Sequence, residues 1–167
     1  MDRLRTCFEA FGFDRVETFI ASGNVVFETT STAVATMVRT IEKGLERELG
    51  YEVATFIRTD AEVAAVAVYQ PFPKPAIASA RAFSVGFLSA PLAKDGEKAL
   101  MGLKTAIDDF HVHGREVYWL CRKGQSESAF SNVRFEKAAK VRATFRNMNT
   151  AQRLAAKYPP RRPTFRM

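Results

Sequence analysis

Residues 16–27, Val-Glu-Thr-Phe-Ile-Ala-Ser-Gly-Asn-Val-Val-Phe, are the stretch around which the rest of the chain can be placed. Val, Ile, Thr and Phe flank the central Ala-Ser-Gly-Asn, and a half-buried pleated surface prefers these residue types. Gly23 and Asn24 tolerate a positive φ at little steric cost, which suits a turn. The stretch therefore predicts a β-hairpin.

The composition is that of a folded globular protein. The chain has 167 residues, of which 47% are hydrophobic, enough to bury a core in one ordinary domain or two small ones. Phe outnumbers Tyr and Trp, so we expect most aromatic rings to be packed inside. Cys7 and Cys121 form no CxxC motif and fit a reducing cytosol. No apolar run reaches the roughly 18 residues that a membrane span needs, and the N-terminus lacks a signal peptide's apolar region. We therefore expect a cytoplasmic protein with no membrane association.

The positive charge is concentrated at the C-terminus. Residues 131–167 contain 10 Lys and Arg against one Glu, whereas residues 1–130 contain 15 Lys and Arg against 17 Asp and Glu. A field of that kind attracts anions and raises encounter rates with them. Nucleic acid, phosphate esters and acidic protein surfaces are therefore candidate partners. The alternative interpretation is a solvated basic surface that keeps the protein soluble.

Hydrophobic periodicity and helix-stop residues place the other elements. Leu4, Cys7, Phe8 and Phe11 recur at helical spacing, and Gly12 follows them, so the chain is predicted to begin in a helix. The later patterns predict helices at 33–49, 60–69, 91–103, 132–140 and 150–158, strands at 51–59, 81–88 and 141–145, and a second hairpin at 109–122.

A proline-rich segment separates two halves. Residues 71–80 contain three prolines within five positions, which no regular element is expected to accommodate. The predicted organisation is a subdomain at 1–70, a linker at 71–80, a second subdomain at 81–158 and a basic tail at 159–167 with no reason to order on its own.

The two halves repeat one order of elements. The second half follows the strand-helix-strand-strand-helix-strand order of the ferredoxin-like fold, and the first half has the same order less its opening strand. The sequence therefore predicts an α+β protein of two tandem ferredoxin-like (βαββαβ) subdomains, each with helices on one face of its sheet. The missing strand would be central, and its absence would leave two neighbours without hydrogen-bond partners.

Three stretches of the chain are distinctive in their order and spacing: residues 21–27 (Ala-Ser-Gly-Asn-Val-Val-Phe), 131–137 (Ser-Asn with Phe-Glu-Lys) and 144–150 (Thr-Phe-Arg-Asn-Met-Asn-Thr). Together they resemble a bacterial family of proteins of unknown function, DUF1697. The resemblance extends over nearly the whole chain. It implies an apolar strand and a Gly- and Asn-containing loop ahead of Met1, and a tryptophan at the position of Met148. The family has no agreed activity, so the resemblance names no reaction.

The expected consequence is an N-terminally shortened chain. We expect its first sheet either to be completed by a strand from a partner or to be left partly open.

The hairpin tip is the first candidate site. Ser22, Gly23 and Asn24 offer backbone donors and two polar side chains that suit an anion or a partner. Turn geometry alone also demands these residue types.

The stronger candidate site lies in the basic C-terminal segment. Strand periodicity puts Arg142, Thr144 and Arg146 on one face, opposite the core face. Helix N-termini favour anions, and two of them are predicted nearby. The further ligand-binding candidates at these helices are Asn147, Asn149, Ser131, Asn132 and Lys137. The alternative is that Asn149 or Thr150 only caps a helix and that Arg146 pairs with Glu136.

The sequence gives little support for a metal site, a catalytic motif or a cofactor site. His111 and His113 share a strand face with Asp109, an arrangement able to ligate zinc, but the chain has no third histidine, so we expect no metal site. No nucleophile elbow, phosphate-binding loop or dinucleotide-binding motif is present, and we expect no cofactor. The favoured function is a binding module for a phosphate-containing ligand or nucleic acid. An enzyme acting on a small anionic substrate at the same face, and a structural or oligomerisation protein, stay open as alternatives.

Overall fold

The computed structural model describes residues 2–21 and 23–161. The chain divides into two compact units, the first ending at Ile57 and the second beginning at Arg58. The first unit contains the elements α1 (Asp2–Ala10), β1 (Asp14–Phe19), β2 (Asn24–Glu28) and α2 (Val34–Leu49). The second contains α3 (Asp60–Val68), α4 (Lys74–Ser79), β3 (Ala82–Leu88), α5 (Lys94–Met101), β4 (Asp108–His113), β5 (Glu116–Cys121), α6 (Asn132–Ala139), β6 (Ala143–Asn147) and α7 (Met148–Lys157).

The first unit is a hairpin with two helices. Strands β1 and β2 are antiparallel, as the opening stretch predicts. Helix α2 buries Met37, Ile41 and Leu45, which recur at helical spacing. Gly50 ends the helix at φ 80°, and its N–H donates to the carbonyl of Glu46. An apolar stripe and a glycine stop are local signals, which is why this helix is predictable.

The strand predicted at 51–59 does not form. Residues 51–59 belong to neither sheet, although Val53 and Ile57 pack against the core of the first unit. Within the described part of the chain, Val53, Ala54 and Phe56 have no hydrogen-bonded backbone partner. Alternation of side chains favours an extended backbone, but a strand also needs a neighbour to pair with. The periodicity identified the conformation and not the pairing.

The second unit is a four-stranded antiparallel sheet between helices. Its strand order is β4-β5-β3-β6. One face packs with α5 and α6 around Leu100, Phe135 and Trp119, and the other packs with α3 and α7 around Val66 and Met148. The prediction of helices on one face only is therefore wrong for this unit, because α3 and α7 pack together and cover the second face. The described residues form a mixed α+β structure with two antiparallel sheets and seven α-helices.

The proline-rich segment lies inside the second unit. Residues 74–79 form α4, with a proline in its first turn, where a missing backbone N–H breaks no helical hydrogen bond. The division between units falls at Ile57, ahead of the predicted linker at 71–80, because α3 belongs with α7. No helix in the described ranges has the length and apolar character needed to cross a lipid bilayer.

Candidate functional site

A cavity of about 420 Å³ lies in the second unit, at one end of strands β3, β5 and β6. Its lining combines five polar residues and three apolar ones: Arg81, Ser84, Gln125, Arg146 and Asn147, with Ala82, Trp119 and Phe145. None of the described residues that line it is acidic. The lining favours a ligand with a negative charge.

Strand register brings Ser84, Trp119 and Asn147 together on one face of the sheet, whereas Arg146 lies opposite Val85, on the other face, and lines the cavity at the end of β6. Ser84 on the central strand β3 lies opposite Asn147 of β6 on one side and Trp119 of β5 on the other. Opposite residues in an antiparallel sheet project from the same face. Arg81 immediately precedes β3, and its N–H donates to the carbonyl of Cys121 at the end of β5, which fixes its backbone to the sheet.

Arg146 is held in place by its own strand. Its Nη1 donates to Thr144 Oγ1 at 2.8 Å and to the carbonyl of Phe145 at 2.9 Å. Burial lowers the pKa of Arg146 from its ordinary value, but a guanidinium keeps its charge at neutral pH. A half-buried cation of this kind has lost part of its hydration, so an anion that reaches it recovers electrostatic energy in a medium of reduced dielectric constant.

Ser84 and Gln125 add uncharged polar groups. Ser84 is 2% exposed, and its Oγ accepts from Gln125 Nε2 at 3.2 Å. Because a hydroxyl both donates and accepts, the Ser84 proton remains able to donate to a ligand. Gln125 lies in the loop between β5 and α6, within a short 3-10 turn.

Asp108 anchors the cavity wall and the loop. The carboxylate of Asp108, 1% exposed, accepts from Trp119 Nε1 at 2.8 Å and from Thr105 Oγ1 at 3.0 Å. Ser128 Oγ lies 2.8 Å from one carboxylate oxygen and 2.9 Å from the other. Ser128 shares its loop with Gln125. A single buried carboxylate thus positions both the indole ring and the loop that reach the cavity.

Among the predicted C-terminal site residues, Arg146 and Asn147 line the cavity and Thr144 contacts Arg146. Asn147 caps α7 by accepting from the N–H of Asn149, which is itself exposed in the first turn of that helix. Arg142 is exposed just ahead of β6 and does not line the cavity.

The predicted residues of α6 do not reach the cavity either. Ser131 is the N-cap of the helix and accepts from the N–H of Arg134, and Asn132 donates to the carbonyl of Ala143. Lys137 is exposed. The carboxylate of Glu136 does not form the alternative ion pair with Arg146. Its Oε1 instead accepts from the N–H of Ala143 at 2.8 Å.

The hairpin candidates belong to the first unit. Gly23 has φ 74°, and Asn24 Nδ2 donates to the carbonyl of Phe19 at 3.2 Å, so both are explained by the turn. Ser22 lies outside the described residues.

The histidine pair is engaged by an aromatic cluster. His111 Nε2 lies 2.8 Å from the hydroxyl of Tyr69, and the His113 ring stacks on the Tyr69 ring with centroids 4.1 Å apart. Asp109 instead pairs with Lys104 at 2.7 Å. No three His, Cys, Asp or Glu side chains of the described residues are grouped as metal ligands.

Sequence reasoning missed Arg81, Ser84 and Gln125 as cavity residues. They are far apart in the chain, and cross-strand register and a loop contact bring them together. The one local signal was Ser84, a polar residue between apolar ones on a buried strand.

The sequence matches one known family. The profile of the family "Protein of unknown function (DUF1697)" matches residues 1–118, and the chain belongs to that family. The two later stretches that resemble the family, 131–137 and 144–150, lie beyond the matched residues. No curated protein matches the chain.

A solved structure supports the fold. The conserved bacterial protein SP0830 from Streptococcus pneumoniae is similar to this chain with a TM-score of 0.69 and 19% sequence identity. The similarity covers 96% of this chain and 89% of that protein. At this identity the comparison establishes a shared fold.

Proposed function

We propose that the second unit binds a small anion, a phosphate or a carboxylate, in the cavity beside Arg81 and Arg146. The observation that carries the proposal is the lining itself, which includes two arginines and three other polar residues and, among its described residues, no acidic one. Arginine suits this role because its planar fork of donors matches carboxylate and phosphate oxygens.

The donors in the cavity are held before a ligand arrives. Arg146 is fixed by Thr144 and the backbone of its own strand, and Ser84 is fixed on the central strand beside Gln125. Little side-chain entropy is then lost on binding, which favours affinity. The cavity volume of about 420 Å³ lies in the range of small-molecule sites.

Nucleic acid is the competing ligand, because most of the basic side chains of residues 131–161 lie outside the cavity. Neutralisation of several phosphates makes affinity fall steeply with salt, whereas one anion in one cavity weakens far less. The slope of affinity against salt concentration therefore separates the two ligands. The same cavity in an enzyme would hold a small anionic substrate, with the arginines as clamps.

A thermal-shift screen with orthophosphate, ribose 5-phosphate and a short oligonucleotide tests the proposal. The parent is compared with Arg146→Gln, and Arg153→Gln on the exposed face of α7 is the control for net charge. We expect ribose 5-phosphate to raise the melting temperature of the parent and of the control. Affinity for it should fall about tenfold or more in Arg146→Gln, since a charge-assisted hydrogen bond contributes about 1.5–3 kcal/mol. Equal losses in both variants would contradict a site at the cavity.

The proposed architecture of the second unit is ferredoxin-like. Its order from β3 to β6 is strand-helix-strand-strand-helix-strand, and the strand order β4-β5-β3-β6 places the first and third of these strands at the centre. The proposal extends to a tandem arrangement, in which the first unit is the same fold without its opening strand and, because no strand forms at 51–59, with two strands in its sheet.

We also propose that the first unit accepts a strand from a partner. The backbones of Val53, Ala54 and Phe56 have no hydrogen-bonded partner in the described part of the chain, so the backbone of an added strand would satisfy them. Amide hydrogen exchange tests the idea. The amides of these residues should exchange quickly in the isolated chain while those of α2 are protected. Equal protection of both would contradict it.

A cytoplasmic location is proposed from the cysteines. Cys7 and Cys121 are both free and buried, and burial raises the pKa of the Cys121 thiol. Free thiols are typical of reducing compartments.

A further inference from the structure

The cavity has an apolar wall as well as a cationic one. Ala82, Trp119 and Phe145 supply it, opposite in character to Arg81 and Arg146. A bare inorganic anion would use only the polar side chains and leave the apolar surface in contact with water.

Both aromatic rings of this wall are fixed. The indole N–H of Trp119 donates to Asp108 at 2.8 Å, and the Trp119 and Phe145 rings meet edge to face with centroids 6.4 Å apart. The Phe145 ring lies over Gly86, where a Cβ would come within 2.6 Å of it. A glycine on the central strand thus makes the room that the ring occupies. Rigid rings lose little entropy when they contact a ligand.

We infer that the ligand is a phosphate monoester carrying a flat ring, of about the size of a nucleoside monophosphate. The inference rests on the proposed anion site and adds the ring. The phosphate oxygens pair with the arginines of the lining, and the flat ring packs against Phe145, beside Trp119, which is 6% exposed. The cavity volume of about 420 Å³ accommodates both the phosphate and the ring, because it lies within the range of small-molecule cavities.

Three probe ligands separate the contribution of the anion to affinity from that of the ring. Adenosine 5′-monophosphate carries the anion and the ring, ribose 5-phosphate carries the anion alone, and adenosine carries the ring alone. Titration calorimetry gives each affinity, and Trp119, the one tryptophan of the chain, reports on the apolar wall by its fluorescence. We expect the nucleotide to bind about tenfold more tightly than ribose 5-phosphate, since aromatic stacking of a base contributes to that extent. Only the nucleotide should change the emission strongly.

Two matched variants test whether the ring of the ligand packs against Phe145. Phe145→Leu removes an aromatic side chain from the cavity wall, whereas Phe83→Leu makes the same change on the opposite face of the sheet. The advantage of the nucleotide over ribose 5-phosphate should shrink severalfold in Phe145→Leu and persist in Phe83→Leu.

The outcomes distinguish this inference from the proposed function. Equal affinities for the nucleotide and ribose 5-phosphate, or an advantage that persists in Phe145→Leu, would overturn the inference and leave the anion site standing. If neither phosphate binds, or if adenosine binds as tightly as the nucleotide, both the inference and the anion site fail.

Discussion

Asp108 is a buried carboxylate that several hydrogen bonds of the second unit share, so its removal should destabilise that unit. Replacement by alanine leaves the indole N–H of Trp119 without an acceptor, because an indole only donates, and also deprives Thr105 and Ser128 of their partner. An unpaired buried donor costs about 1–3 kcal/mol, and the hydroxyls add to this only in part because they rotate. We expect Asp108→Ala to lower the free energy of unfolding by about 2–4 kcal/mol.

The assay is a thermal melt followed by Trp119 fluorescence, which reports on the second unit. The expected loss corresponds to a melting temperature lower by roughly 4–16 °C. Asp108→Asn keeps one acceptor oxygen and should lose only about 1–2 kcal/mol. The control is Asp109→Asn, one residue away, where the carboxylate is part-exposed and pairs with Lys104, so its loss should stay under about 1 kcal/mol.

The reasoning is refuted if Asp108→Ala melts within a degree of the parent, or if Asp109→Asn is as destabilising as Asp108→Ala. The first result would mean that water replaces the buried hydrogen bonds of Asp108 without loss, and the second that the loss does not depend on the burial of the carboxylate.

Three further predictions concern buried groups of the second unit. Glu116→Gln breaks a buried ion pair, in which Glu116 Oε1 lies 2.7 Å from Arg58 Nε, and should destabilise the protein by about 3–5 kcal/mol in chemical denaturation. Burial raises the pKa of Tyr118 above its ordinary 10.0, so the stability that the neutral phenol contributes is complete below pH 10.0 and is lost as the pH rises further. Tyr118→Phe should therefore reduce the loss of stability at alkaline pH, as measured by melts at increasing pH. Gly86→Ala forces the Phe145 ring out of its place and should cost about 1–3 kcal/mol by the same denaturation assay, with weaker nucleotide binding.

The parts of the fold that the sequence predicted depend on short-range signals. The hairpin around Gly23, the helix ended by Gly50 and the turn at Gly114 each combine periodic apolar residues with a glycine of positive φ. Residues 51–59 show the limit of such signals. Their alternation indicated an extended chain, but pairing requires a neighbouring strand, which no local pattern specifies.

The candidate site was predictable only in part, for the same reason. Arg146 and Asn147 were identified because strand period and helix capping are local. Arg142 lies just ahead of β6, at the opposite end of that strand from the residues that line the cavity. Arg81 and Gln125 join the site through cross-strand register and a contact to Ser84, which are tertiary features.

The measurement that most directly tests anion binding at the cavity is a titration of the isotope-labelled protein with ribose 5-phosphate, followed through the arginine Nε–Hε signals in NMR spectra. Saturable shifts confined to the signals of Arg81 and Arg146, with Arg153 unmoved, are the predicted result. Shifts that spread to Arg153 of α7 and to the arginines at the chain end, or no shifts at millimolar ligand, would contradict a cavity that binds anions.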